Sequence, residues 1–119
     1  MIEGFDRETQ PLTEDEMRMV PKIILGMRNK VGKARAITST NICKGMKANG
    51  YDLNDSRLRK IMNHIRINNL LPCICGSGKG YYIAGDREEM ENYIRSLTGR
   101  LQAMVALRNS MEQQMRSCF

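Results

Sequence analysis

Between residues 54 and 69, Leu58, Ile61, Met62 and Ile65 recur at i, i+3, i+4 and i+7. That is the spacing of one buried helical face. On a wheel of about 100° per residue, the opposite side carries Ser56, Lys60, Asn63 and Ile67, with Arg57, Arg59 and Arg66 at the flanks. Asn54 or Asp55 caps the first turn, because a short side-chain oxygen accepts from its free amides. After Asp55 this helix holds no acid, whereas a face turned only to water usually mixes Glu with Lys. Such a helix must be packed from behind, and its basic, amide-bearing front suits an anionic partner, nucleic acid before any other.

The charge distribution agrees. Residues 22–79 hold 12 Lys or Arg against only Asp52 and Asp55, a net charge of +10. The first 21 residues are acidic, at −4, and residues 80–119 are neutral. A chain of 119 residues with 41% hydrophobic content fits one modest domain with an appendage. No apolar run approaches the roughly 20 residues of a membrane span, and the N-terminus lacks the basic start and apolar stretch of a secretory signal. A cytoplasmic location is the expectation. In a reducing compartment Cys43, Cys73, Cys75 and Cys118 make no disulfide framework. Cys73-Ile74-Cys75 would be half of a metal site, but no second close cysteine pair accompanies it and His64 sits elsewhere. On a strand the two thiols share a face as small hydrophobes. No metal, cofactor or small-molecule ligand is expected.

Residues 1–12 read as a flexible lead-in, laid on the surface through Phe5. Thr13 and Glu16 form a capping box. From there Met17, Val20, Ile24 and Met27 predict a helix, with Ile23, Leu25 and Val31 adding apolar bulk and Gly32 ending it. Pro21 lies inside this pattern. Either the helix kinks there, or a short segment stops at Val20; the uninterrupted spacing favours the kink. Residues 33–37 suit a brief extended piece that pairs as a strand. Thr38, Ser39 and Thr40 offer caps for a helix to about Ala48, with Ile42, Cys43 and Met46 inside and Lys44 and Lys47 outside. Asn49-Gly50 stops it.

Beyond the basic helix, residues 70–75 and 81–84 are β-prone, and Gly76-Ser77-Gly78-Lys79-Gly80 between them is a hairpin turn. It does not match the nucleotide loop, since Gly80 follows Lys79 and no helix follows directly. Asp86, with Glu89 three residues on, caps the last element. Met90, Ile94, Leu97, Leu101 and Met104 alternate steps of four and three, and Leu107, Met111 and Met115 continue with a shifted phase. A helix over 86–116 would be roughly 46 Å long, more than a small domain can cover.

The order is helix, short extended piece, helix, turn, basic helix and glycine-tipped hairpin. It resembles the winged helix-turn-helix family over about Thr13–Gly85. Residues 38–46 resemble the positioning helix, Ser56 to Ile65 the recognition helix, and residues 68–83 the helix exit and wing. In general character the chain is also similar to small phage or mobile-element proteins of bacteria, a likeness that assigns no residue. The six-residue connection over 49–54 is longer than the tight turn of the simplest family members. The resemblance implies an α+β fold, mainly α with a small β-hairpin, divided into a lead-in (1–12), a winged domain (13–85) and a long C-terminal helix (86–119). It also implies binding of double-stranded DNA, as a transcriptional regulator or replication accessory factor. Ser39, Thr40 and Lys44 would meet phosphate from the positioning helix. Ser56, Arg57, Arg59, Lys60 and Asn63 would face the major groove, and Lys79 the backbone beside it.

Alternatives stand beside these assignments. Arg66 equally suits the terminal carbonyls of its helix, and Arg57 and Arg59 suit acids of the lead-in. His64 suits a neutral, hydrogen-bonded role, and the methionines suit core filling. A protein-interaction adaptor without DNA binding is the second reading of the whole. An enzyme is not expected, for want of paired carboxylates or a partner for the one histidine. The first half of the last helix suits the domain's own core, and its second half has nothing of its own chain to cover. The stripe of Leu97, Leu101, Met104, Leu107, Met111 and Met115 therefore predicts a homodimer. The alternative is a helix broken at Gly99 whose end folds back onto Met17 and Met27.

Overall fold

A computed structural model of the chain describes residues 8–119; the expected path of the first seven, Phe5 included, lies outside the described residues. The elements are α1 (Glu14–Met27), a 3-10 turn (Lys33–Arg35), α2 (Ser39–Ala48) and α3 (Asp55–Ile67). They are followed by β1 (Ile74–Ser77), β2 (Gly80–Ile83) and α4 (Arg87–Cys118). The fold is α+β, mostly helical, with one two-stranded antiparallel hairpin and a long C-terminal helix.

The back of α3 is the centre of the core. Leu58, Ile61, Met62 and Ile65 are each fully buried, packed with Met19, Val20, Ile23 and Met27 of α1, Cys43 and Met46 of α2, and Leu53 from the connection. Asn54 caps α3 by accepting from the Arg57 amide. Two helices end by the same device, in which a residue with positive φ returns the chain across the last turn. In α2 that residue is Gly50 (φ 86), with the Tyr51 amide on the Met46 carbonyl. In α3 it is Asn69 (φ 54), with the Leu70 amide on the Ile65 carbonyl.

Helix α1 runs unbroken through Pro21 and ends at Met27, short of the expected stop at Gly32. Its buried face is Glu16, Met19, Val20, Ile23 and Met27, whereas Met17, expected on that face, is exposed, as is Leu25. The stripe is rotated because the inner face carries a charged residue, which apolar spacing does not register. After α1 the chain lies along the free edge of β2. The Ile83 amide donates to the Lys30 carbonyl and the Gly32 amide to the Ile83 carbonyl, both at 2.7 Å. Ile37 exchanges two 2.9 Å bonds with Tyr81. The expected strand over 33–37 is thus a 3-10 turn followed by a single paired residue.

In the hairpin Ile74 pairs with Ile83 and Ser77 with Gly80, so the turn shrinks from the expected five residues to Gly78-Lys79. The Ser77 hydroxyl accepts from the Lys79 amide. Cys75 is buried as expected, but Cys73 precedes the strand with φ 66 and is exposed. The two thiols therefore do not share a strand face.

Asp86 caps α4 through the Glu89 amide. Glu89 in turn accepts from the Gly85 amide (2.7 Å) and the Lys33 amide (2.9 Å), fixing the helix start to the edge segment. From there α4 continues for 32 residues without a buried side chain, roughly 48 Å at 1.5 Å per residue. It passes through Gly99 intact, so the fold-back alternative is not adopted. Among the described residues, no helix is long and apolar enough to cross a membrane.

Candidate nucleic-acid interface

Burial of Leu58, Ile61, Met62 and Ile65 turns the two flanks of α3 in different directions. One flank meets α1. There Glu16, 3% exposed, accepts from the Lys60 ammonium at 2.7 Å and from Arg57 Nε at 3.1 Å. Glu16 also accepts from the Thr13 amide at 2.9 Å. Arg57 reaches Asp15 at 3.1 Å and the Asp52 carbonyl. Burial alone would raise the Glu16 pKa, but the bonds from Lys60, Thr13 and Arg57 outweigh it and hold the carboxyl at about 2. Lys60 and Arg57 were expected on the DNA-facing front. They are instead turned sideways onto a buried carboxylate, because their long stems reach the neighbouring helix.

The other flank lines an open cleft of about 650 Å³ between α2, the hairpin and α4. Arg59, Asn63 and Arg66 enter it from α3, Ser39 and Thr40 from the start of α2, and Gly78 from the hairpin tip. Sequence reasoning missed Tyr93 and Arg100, which α4 adds to the same cleft. The guanidinium of Arg66 lies 5.7 Å from the Tyr81 ring centre and 5.5 Å from that of Tyr93, within cation–π range. Its Nε donates to the Ile74 carbonyl. Arg66 thus joins α3, the hairpin and α4, and does not serve the carbonyls at its own helix end. Nothing in the sequence pairs Tyr93 with Arg66.

Several cleft residues are already engaged. The Ser39 hydroxyl donates to Asp55, which also pairs with Arg59 at 2.7 Å. The Asn63 amide donates to the Glu8 carbonyl at 3.1 Å. By contrast Thr40, Lys44, Ser56 and Lys79 are exposed, and none has a side-chain hydrogen bond or ion pair to a described residue. Thr38, rather than Ser39 or Thr40, caps α2 by accepting from the Asn41 amide. The amides of Ser39 and Thr40 then point out of the helix start without an intrahelical acceptor. Lys44 stands one turn further along α2, and Lys79 on the hairpin tip, both outside the cleft wall.

The rest of the middle region keeps its positive character. Of its 12 cations, Arg57, Arg59 and Lys60 are ion-paired to described acids, and the other nine are not. His64 is hydrogen-bonded to Asn68 at 3.3 Å. Burial pushes the Cys43 and Cys75 thiols up, away from the thiolate form that a nucleophile requires. Among the described residues no group of three or more His, Cys, Asp or Glu is placed to hold a metal ion. No protein-family model, curated protein or solved structure matches this chain.

Proposed function

We propose that the chain is a cytoplasmic, non-enzymatic protein of the winged helix-turn-helix type that binds double-stranded DNA, as a regulator or replication accessory factor. In this reading α3 enters the major groove and the hairpin is the wing. One observation carries it: the outer flank of α3, the start of α2 and the hairpin tip converge on one open cleft lined by Arg59, Arg66 and Arg100, with Asp55 and Glu8 beside them. A groove about 12 Å wide admits a single helix, and a helix start with free amides beside it suits a phosphate oxygen. Four free cysteines agree with a reducing compartment.

Lys44, Lys79 and the amides of Ser39 and Thr40 serve phosphates, and Ser56 is presented outward. Arg59 joins them on exchanging Asp55 for a DNA acceptor, and Asn63 on leaving Glu8. Arg57 and Lys60 hold α1 against α3 and contact no DNA.

Titrating duplex binding against salt tests this. Lys44→Ala and Lys79→Ala should each weaken binding evenly across sequences and lower the salt slope by about one unit. Lys60→Ala should leave the affinity of the folded protein unchanged. Affinity that falls with Lys60→Ala but not with Lys44→Ala or Lys79→Ala would place the DNA on the wrong flank of α3.

The adaptor reading rests on a separate groove of about 400 Å³ between α1 and α2, lined by Leu25, Ile42 and Tyr51 among others. A partner docked there would bind with little dependence on salt, whereas phosphate contacts weaken steeply.

A further inference from the structure

Helix α4 carries an apolar face that no described residue buries. The domain packs on the side carrying Glu89 and Tyr93. Leu97, Leu101, Met104, Leu107, Met111 and Met115 are each 42–63% exposed. With the helix continuous, the apparent phase drift after Met104 disappears if Arg108, and not Leu107, takes the inward position. Ile94, Leu101, Arg108 and Met115 then fall at position a of a seven-residue repeat, and Leu97, Met104, Met111 and Cys118 at position d. A strict repeat of this kind is the pattern of a left-handed coiled coil.

We propose that α4 pairs with α4 of a second copy of this chain, parallel and in register, from Ile94 to Cys118. The two strips would meet over about 36 Å, from 24 residue steps of 1.5 Å. This inference does not rest on the DNA-binding reading. The occupant is a second copy because the strip is self-complementary. In a parallel pair the flanking contacts join Arg100 to Val105 and Leu107 to Glu112 of the other helix, so like charges meet only where Arg108 faces its own copy in the seam. The remaining cations, Arg95 and Arg116, lie on the outer face, as does Gly99, with nothing within 4 Å of a Cβ placed there. Ile at a followed by Leu at d, at Ile94 and Leu97, favours two parallel strands. Arg108 is the single polar residue at a. Its stem lines the seam while its guanidinium turns back to Glu112, 3.9 Å away. A lone polar a position fixes register at a cost in affinity.

Three measurements on the full chain test this. Light scattering at micromolar concentration under reducing conditions should give twice 13.6 kDa; a monomer or a tetramer overturns the proposal. Arg108→Leu should tighten the dimer by about tenfold or more, because a seam position gains an apolar contact; an unchanged dissociation constant puts Arg108 on the surface. Finally, Met111→Cys in a Cys73→Ser, Cys118→Ser background should cross-link between copies on treatment with diamide. Diamide takes up the two electrons and two protons released by the thiols. A dimer that fails to cross-link is not parallel and in register.

Discussion

Glu16→Ala should lower the unfolding free energy by about 3–5 kcal/mol, the range for breaking a buried ion pair from one side. The carboxylate is 3% exposed, and the Lys60 and Arg57 side chains that converge on it are 12% and 24% exposed. Removing Glu16 from α1 leaves two largely desolvated cations side by side on α3. It also removes half of the capping box, since Glu16 accepts from the Thr13 amide. Arg57 keeps Asp15 and Asp52, but Lys60 keeps no other acid among the described residues. The penalty therefore falls chiefly on Lys60. Replacing Glu16 and Lys60 together by Met should recover most of the loss, because an apolar pair of similar volume removes the stranded charge. Urea unfolding of the parent, Glu16→Met, Lys60→Met and the double variant closes a double-mutant cycle that checks this, with Glu16→Ala measured beside it. If the double variant is as unstable as Glu16→Ala alone, Lys60 is not the reason for the loss.

The same carboxyl sets an acid limb. It takes up its proton near pH 4.5 when unfolded and near 2 when folded, so the unfolded chain binds more protons between those values. Its contribution is complete above about pH 4.5 and is lost progressively as pH falls toward 2. The span corresponds to about 3 kcal/mol. Glu16→Gln should flatten stability over that window while leaving a smaller, pH-independent deficit. A variant whose acid limb matches the parent would show that other carboxylates control acid unfolding.

Glu16 also marks where the sequence stops being legible. Its role in the capping box could be read from Thr13 and a three-residue interval. Its burial could not, because that depends on α1 crossing α3 at the turn where Arg57 and Lys60 emerge. The back of α3 was legible residue by residue, since four apolar positions at helical spacing have one way to be buried. The front was not. A helical wheel gives the direction in which a side chain leaves, but Lys60 and Arg57 carry long stems that bend to whichever acid lies alongside. The cleft shows the same division. Ser39, Thr40, Arg59 and Asn63 were expected at one surface, and they share one wall. Asp55, Tyr93, Arg66 and Arg100 complete it through contacts between segments far apart in the chain. In α4 the apolar stripe was legible, and in the proposed coiled coil the inward position falls to Arg108, which hydrophobicity alone passes over in favour of Leu107.

Gly80→Ala should cost about 4 kcal/mol, from backbone strain of roughly 1–3 kcal/mol added to a similar overpacking penalty. Gly80 has φ +117, where side chains of L-residues are rarely found, and a Cβ there would lie 2.2 Å from the Ile37 carbonyl oxygen. It would also lie 2.5 Å from the Ile37 carbonyl carbon and 2.8 Å from the Thr38 amide nitrogen. All three are backbone atoms, so no side chain can rotate away to make room. The neighbouring segment must move, and it is the segment that exchanges two hydrogen bonds with Tyr81 and supplies Thr38 as the cap of α2. The damage should therefore spread from the hairpin to the start of α2, the two parts of the proposed interface that flank α3. Hydrogen exchange should show early loss of protection at the Ile37 and Tyr81 amides, with the α3 core opening only at global unfolding. Gly78→Ala is the control, since Gly78 has no atom within 4 Å of the added Cβ and no positive φ. It should change stability by less than about 1 kcal/mol. Equal losses at Gly78 and Gly80 would mean that the hairpin tolerates no substitution at all, and that the close approach to Ile37 is not what requires glycine.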